Sequence, residues 1–119
     1  MIDRVEGRLA AKTPERAVVD VGGVGFSVAV TLPTWNRLPA VGESVRFLTY
    51  LLVREDALEL FGFESDAERR AFLLLTTVQG IGPRMALRVL SFMSPDDLSA
   101  ALRSGRPEVF RRIPGLGPK

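Results

Sequence analysis

Val78-Gln79-Gly80-Ile81-Gly82-Pro83-Arg84 returns 35 residues later as Ile113-Pro114-Gly115-Leu116-Gly117-Pro118-Lys119. Each copy has the form apolar-x-Gly-apolar-Gly-Pro-basic, and each follows a stretch with apolar residues at helical spacing. Glycines permit a tight turn and let a foreign backbone come within hydrogen-bonding distance. Proline is tolerated at the first helical position because it has no N–H to lose. The helix that follows aims amide groups at an anion, and the basic residue adds a charge-assisted contact. Such a turn suits phosphates and carries no base readout. The candidate backbone contacts are Gly80, Gly82 and Arg84 in the first copy and Gly115, Gly117 and Lys119 in the second.

One such turn would be an ordinary helix stop. Two copies with matching apolar, proline and basic positions define a tandem helix-hairpin-helix, the form that grips a duplex backbone across the minor groove. The flanks support it. Ser65 and Glu68 make a capping box, and Ala67, Ala71, Leu74, Leu75 and Val78 then fall on one predicted helical face. Pro83 to Phe92 reads as the next helix, with Ala86, Val89 and Leu90 on one side. Ser94-Pro95-Asp96-Asp97 starts another that runs to Gly105, and Pro107 to Ile113 is a short last one. A dinucleotide fingerprint is a rival, because Gly80-x-Gly82 could follow a strand in FLLLTTV, with Asp97 as the ribose acid. Met85 in the third glycine's place, a helical pattern where a second strand is needed, and the repeat itself all oppose it.

Upstream of Glu64 the period is two. Ala17, Val19 and Val21 alternate with Arg16, Val18 and Asp20, Gly22-Gly23 turns the chain, and Val24, Phe26, Val28 and Val30 share a face. Pro33, Pro39 and Gly42 bracket one helical turn, after which Ser44 to Val53 and Leu58 to Phe63 form a second hairpin. With Ile2 to Ala11 this gives five strands and a short helix between the third and fourth, the order of a Greek-key barrel of the OB type. The expected fold is α+β in two domains: a five-stranded OB-type barrel over 1–63 and an all-α tandem helix-hairpin-helix over 64–119, with almost no linker between.

The 119 residues are 46% hydrophobic, enough for a folded core, and no apolar run approaches the roughly 20 residues of a membrane span. The N-terminus has no signal-peptide pattern, so a cytoplasmic location away from membranes is expected. Without cysteine or histidine there is no disulfide frame, thiol nucleophile, Cys/His zinc site or imidazole base. Net charge is +2, and the surplus is uneven: net −1 up to Phe63, net +3 from Glu64 on, where the glycine motifs lie.

Against that stands an acidic pair, Glu55 and Asp56, between two strand arms in LLVREDALEL (51–60). Three readings are open: a solvated hairpin turn, part of a metal pair for phosphodiester cleavage, or carboxylates that mimic and repel phosphate. The metal reading wants further converging ligands, and Glu59 lies along the strand rather than at the tip.

The stretches GGVGF (22–26), VREDA (53–57), LFGF (60–63) and GIGPRMAL (80–87), in this order, resemble the RuvA family, the Holliday-junction-binding subunits of the bacterial RuvAB branch-migration machine. The resemblance covers Met1 to Lys119. It implies a homotetrameric four-fold platform, its pairing into an octamer left open, on which a four-way DNA junction lies flat during recombination and repair. Glu55 and Asp56 would be the acidic pin at the junction centre. ATP hydrolysis would belong to a partner motor, RuvB, so no catalytic residue, metal or cofactor is expected in this chain. Family members continue past the second motif's closing helix into a motor-binding domain, so the chain is expected to be an N-terminal piece.

Overall fold

A computed structural model describes residues 1–104. The chain forms two compact units, Met1–Arg69 and the part from Arg70 on. The first contains β1 (Arg4–Thr13), β2 (Arg16–Val21), β3 (Val24–Ala29), α1 (Leu32–Asn36), β4 (Ser44–Val53) and β5 (Leu58–Phe63). The strands close into a barrel in the order β1-β2-β3-β5-β4, with β4 returning to β1. Every pairing is antiparallel except β3 with β5, which run parallel through Val28↔Leu60 and Ala29↔Phe61. This is the Greek-key order that the strand pattern implies, and the fold class is the expected α+β.

Alternation fills the barrel: Val5, Leu9, Ala17, Val19, Val28 and Phe47 are all buried. β1 serves two partners, pairing with β4 over Arg4–Arg8 and with β2 over Arg8–Thr13, with a register shift between Leu9 and Ala11. A bulge of this kind bends a strand around a barrel corner. At that corner a Cβ on Gly7 would overlap the Asp20 carbonyl oxygen, so glycine is required by close backbone approach. The β2–β3 turn forms where expected. Gly22 and Gly23 take φ of 60° and 94°, the mirror-image turn that matches strand twist, and the Gly23 amide donates to Asp20 Oδ1 at 2.8 Å.

Two residues separate β5 from α2 (Asp66–Thr76), which is followed by α3 (Pro83–Phe92) and α4 (Pro95–Ser104). The capping box forms with a variation. Ser65 Oγ accepts from the Glu68 amide at 3.1 Å, while Glu68 Oε1 accepts from the Glu64 amide at 3.1 Å, one residue earlier than the usual reciprocal bond. Glu68 is buried, and the Thr31 hydroxyl donates to its Oε2 at 3.2 Å. Burial pushes its pKa above the ordinary carboxylate value, against the bonds from Glu64 N–H and Thr31. Glu64 moves the other way: burial pushes it up, but hydrogen bonds from Arg37 and Thr34 outweigh that and hold it low. Arg69 adds bonds to the Asp3 carboxylate at 2.9 Å and the Thr49 carbonyl at 3.3 Å. The first turn of α2 is thereby built into the barrel unit.

The buried face of α2 is Glu68, Ala71, Phe72 and Leu75. Ala67, Leu74 and Val78, which the helical spacing placed with Ala71 and Leu75, are exposed. The face is rotated because a carboxylate, not an alanine, occupies its first buried position. In the second unit Ala86, Val89, Leu90, Leu98 and Ala101 are buried as well.

Candidate nucleic-acid interface

The first glycine turn begins where α2 runs out. Thr77 and Val78 close the last turn by donating their amides to the Leu74 and Leu75 carbonyls at 3.1 and 3.0 Å. The Ile81 amide then donates to the Val78 carbonyl at 3.1 Å, and Gly80 takes φ of 87°, a left-handed value that favours glycine. Gly82 is the N-cap of α3, extended at φ −88° and ψ 177°, with Pro83 starting the helix. The Ala86 amide donates to the Gly82 carbonyl at 2.9 Å.

Gly80 and Gly82 are glycines for different reasons. Gly80 needs its conformation. Gly82 has a backbone any residue adopts, and a Cβ there would meet open space within 4 Å, as it would at Gly80. Among the described residues neither strain nor packing asks for glycine at 82. Its effect is to leave the start of α3 bare: no side chain caps that end, and first-turn amides have no intrahelical acceptor. Arg84 follows, exposed, in the first turn. The structure therefore brings Gly80, Gly82 and Arg84 onto one turn. Gly115, Gly117 and Lys119, like the helix expected over Pro107 to Ile113, lie outside the described residues.

The dinucleotide rival fails here. The segment before the turn is helix α2, and the segment after α3 is helix α4, where Asp97 is a first-turn residue whose amide donates to Ser94 Oγ at 3.1 Å. The strands such a cofactor fold requires on both sides are helices.

The acidic turn is an extension of the β4–β5 ladder, which runs in unbroken register from Leu48↔Phe63 to Val53↔Leu58. The Arg54 amide donates to the Ala57 carbonyl at 2.8 Å and closes the loop, leaving Glu55 and Asp56 exposed at its tip. Glu59 is set apart, partly buried on the strand and ion-paired with Arg16 at 3.7 Å. Among the described residues no three acidic side chains cluster as a metal-binding group. Val53 and Leu58, directly below the tip, are exposed apolar residues that the sequence reading left unremarked. Their position on the same face as Leu51 and Leu60 was the available signal.

The family described as RuvA N terminal domain matches residues 1–62. The chain belongs to the RuvA family. The family described as a SAM-like helix-hairpin-helix tandem matches residues 72–119, which takes in both glycine motifs. Among curated RuvA relatives, the Holliday junction branch migration complex subunit RuvA of Rubrobacter xylanophilus is 50% identical over all 119 residues, which are 61% of that protein. The subunits of the same name from Polaromonas sp. and Magnetococcus marinus are 45% and 46% identical over the whole chain, covering 63% and 58% of their lengths. The chain thus spans about three fifths of the RuvA relatives it matches. No helix among the described residues is long and apolar enough to cross a membrane.

Proposed function

We propose that this chain is the part of a RuvA subunit that holds four-way junction DNA, as one of four copies in a square platform. The supporting observation is the opposition within one chain. Gly80, Gly82 and Arg84 expose backbone and positive charge on one turn, while Glu55 and Asp56 expose two carboxylates on another. The first turn, with Gly115, Gly117 and Lys119 as its second copy, takes the phosphates of the junction arms. The second is the pin that keeps backbone from the centre.

Magnitudes decide whether a pin is physically sensible. Two like charges about 10 Å apart in water repel by only about 0.4 kcal/mol, so one pair steers nothing. Four pairs around a crossover, acting on several phosphates, reach a few kcal/mol before salt screening. That biases which DNA occupies the centre without preventing binding, since affinity grows with each phosphate neutralised at the hairpins. Affinity is given up for selectivity.

The chain works on this reading as a non-catalytic, cytoplasmic DNA scaffold without a cofactor, and ATP hydrolysis belongs to the RuvB motor of the complex. We assign motor docking to sequence outside residues 1–119, and co-elution of this chain with RuvB would contradict that. Competition of a four-way junction against duplex of equal length tests the main proposal: the junction is expected to win. Equal competition would leave a general helix-hairpin-helix duplex binder. Light scattering with and without junction tests the tetramer.

A further inference from the structure

The inner face of the β4–β5 ribbon is apolar from the core outward. Successive residues alternate faces, so the rungs Leu51↔Leu60 and Val53↔Leu58 lie on the same side. Leu60 is buried and Leu51 packs against the core cluster, but Val53 is 67% and Leu58 68% exposed. Directly opposed residues stand about 5 Å apart at Cβ, so these two make one apolar step immediately below the Glu55–Asp56 turn. Both positions of the rung are apolar where design rules for a solvated hairpin end favour polar residues.

The charges above the step restrict what can cover it. A phosphate backbone is repelled by Glu55 and Asp56. A second copy docking rung to rung would set two like-charged tips at contact distance, closer than tips spaced around a crossover, and repulsion grows as the inverse of the separation. An uncharged, flat, apolar surface of modest size satisfies both the step and the tip, and a nucleobase face freed from its stack has that chemistry. Aliphatic side chains act at base steps in this way elsewhere, where apolar wedges stabilise partly unstacked bases.

We propose that Val53 and Leu58 form a shoulder that receives the face of a base as it leaves its pair at the junction crossover. The tip excludes backbone and the shoulder accepts base, so the hairpin works as a two-part wedge. This rests on the junction-binding reading above.

The test is Val53→Thr with Leu58→Thr in this chain, a pair that keeps or adds β-branching while removing apolar surface; Leu58→Gln alone serves if the double variant melts early. The probe is a four-way junction with 2-aminopurine beside the crossover, whose fluorescence rises on unstacking. The parent is expected to raise that signal and the variant to lose most of it. Affinity for a junction with unpaired central bases should fall about threefold to tenfold, on the scale of losing part of two buried aliphatic side chains, with duplex affinity unchanged. An undiminished signal in the folded variants overturns the shoulder. So does a smaller assembly by light scattering, which makes the rung a subunit contact instead. A parent that shows no preference for junction over duplex removes the underlying reading, whereas a preference retained with no change in signal removes the shoulder alone.

Discussion

Two exposed turns differ in what they withhold. At Gly80 and Gly82 the chain withholds side chains, and a Cβ at either position would meet no described atom within 4 Å. At Glu55–Asp56 no side chain is withheld: the Arg54 to Ala57 bond closes the loop and two carboxylates stand exposed at its tip. A bare turn offers N–H groups to an anion and a decorated one offers negative charge against it. Attraction and rejection of the same chemical group can therefore be assigned to separate loops, and each can be broken without the other.

The largest effect is expected at Gly82. Gly82→Val suits the extended backbone and has room, so thermal stability should hold while DNA affinity falls roughly tenfold to a hundredfold, the scale of one or two lost bonds to a charged group. Anisotropy titration beside a melting curve checks both halves. An unchanged affinity would break the distinction between the two turns. Gly80→Val should instead lose stability as well, by about 1–2 kcal/mol, because its φ of 87° is left-handed.

Arg84→Ala is expected to weaken binding regardless of sequence and to reduce the slope of log affinity against log salt by about 1. A sequence-selective loss would contradict a pure backbone contact. The opposite turn should respond in the opposite sense: Glu55→Gln with Asp56→Asn should strengthen duplex binding about twofold to threefold, and more than junction binding, since only screened surface charge is removed. Gel shifts at fixed salt that show weaker duplex binding would sink the pin.

The smallest effect concerns the two carboxylates at the start of α2, Glu64 and Glu68. The folded pKa of Glu68 is raised, so folding favours its protonated form, and its contribution falls as pH rises from the ordinary carboxylate value through the folded one. Glu64 is lowered, so its contribution is present above the ordinary value and is lost as pH falls through the folded one. Glu68→Gln should leave only the Glu64 direction: the parent's loss of melting temperature as pH rises above the ordinary carboxylate value should disappear, and the variant should lose stability only as pH falls below that value. Superimposable melting profiles would show that the carboxylate is not ionising in this window.

Much of the first unit was legible because its signals are local. The Gly22–Gly23 turn, the β2 alternation and the Ser65 cap each depend on neighbours a few residues away. The α2 face was misplaced because helical spacing ranks apolar residues and has no means of knowing that Glu68 finds Thr31, 37 residues earlier, as a buried partner. The apolar pair below the acidic tip escaped for a related reason. Val53 and Leu58 look like any strand residues until the barrel is seen to end at the rung beneath them.

By itself the sequence determined the types of the described elements, the first glycine turn and the acidic tip, because period, turn chemistry and charge are properties of short segments. Only the tertiary structure decided that β3 closes on β5 in parallel, that Gly7 yields to the Asp20 carbonyl, and that a Cβ on Gly82 would meet none of the described residues. Those are facts about surfaces brought together or left apart by chain closure. The difference between a glycine that packing demands and one that packing ignores exists only once the neighbours are in place.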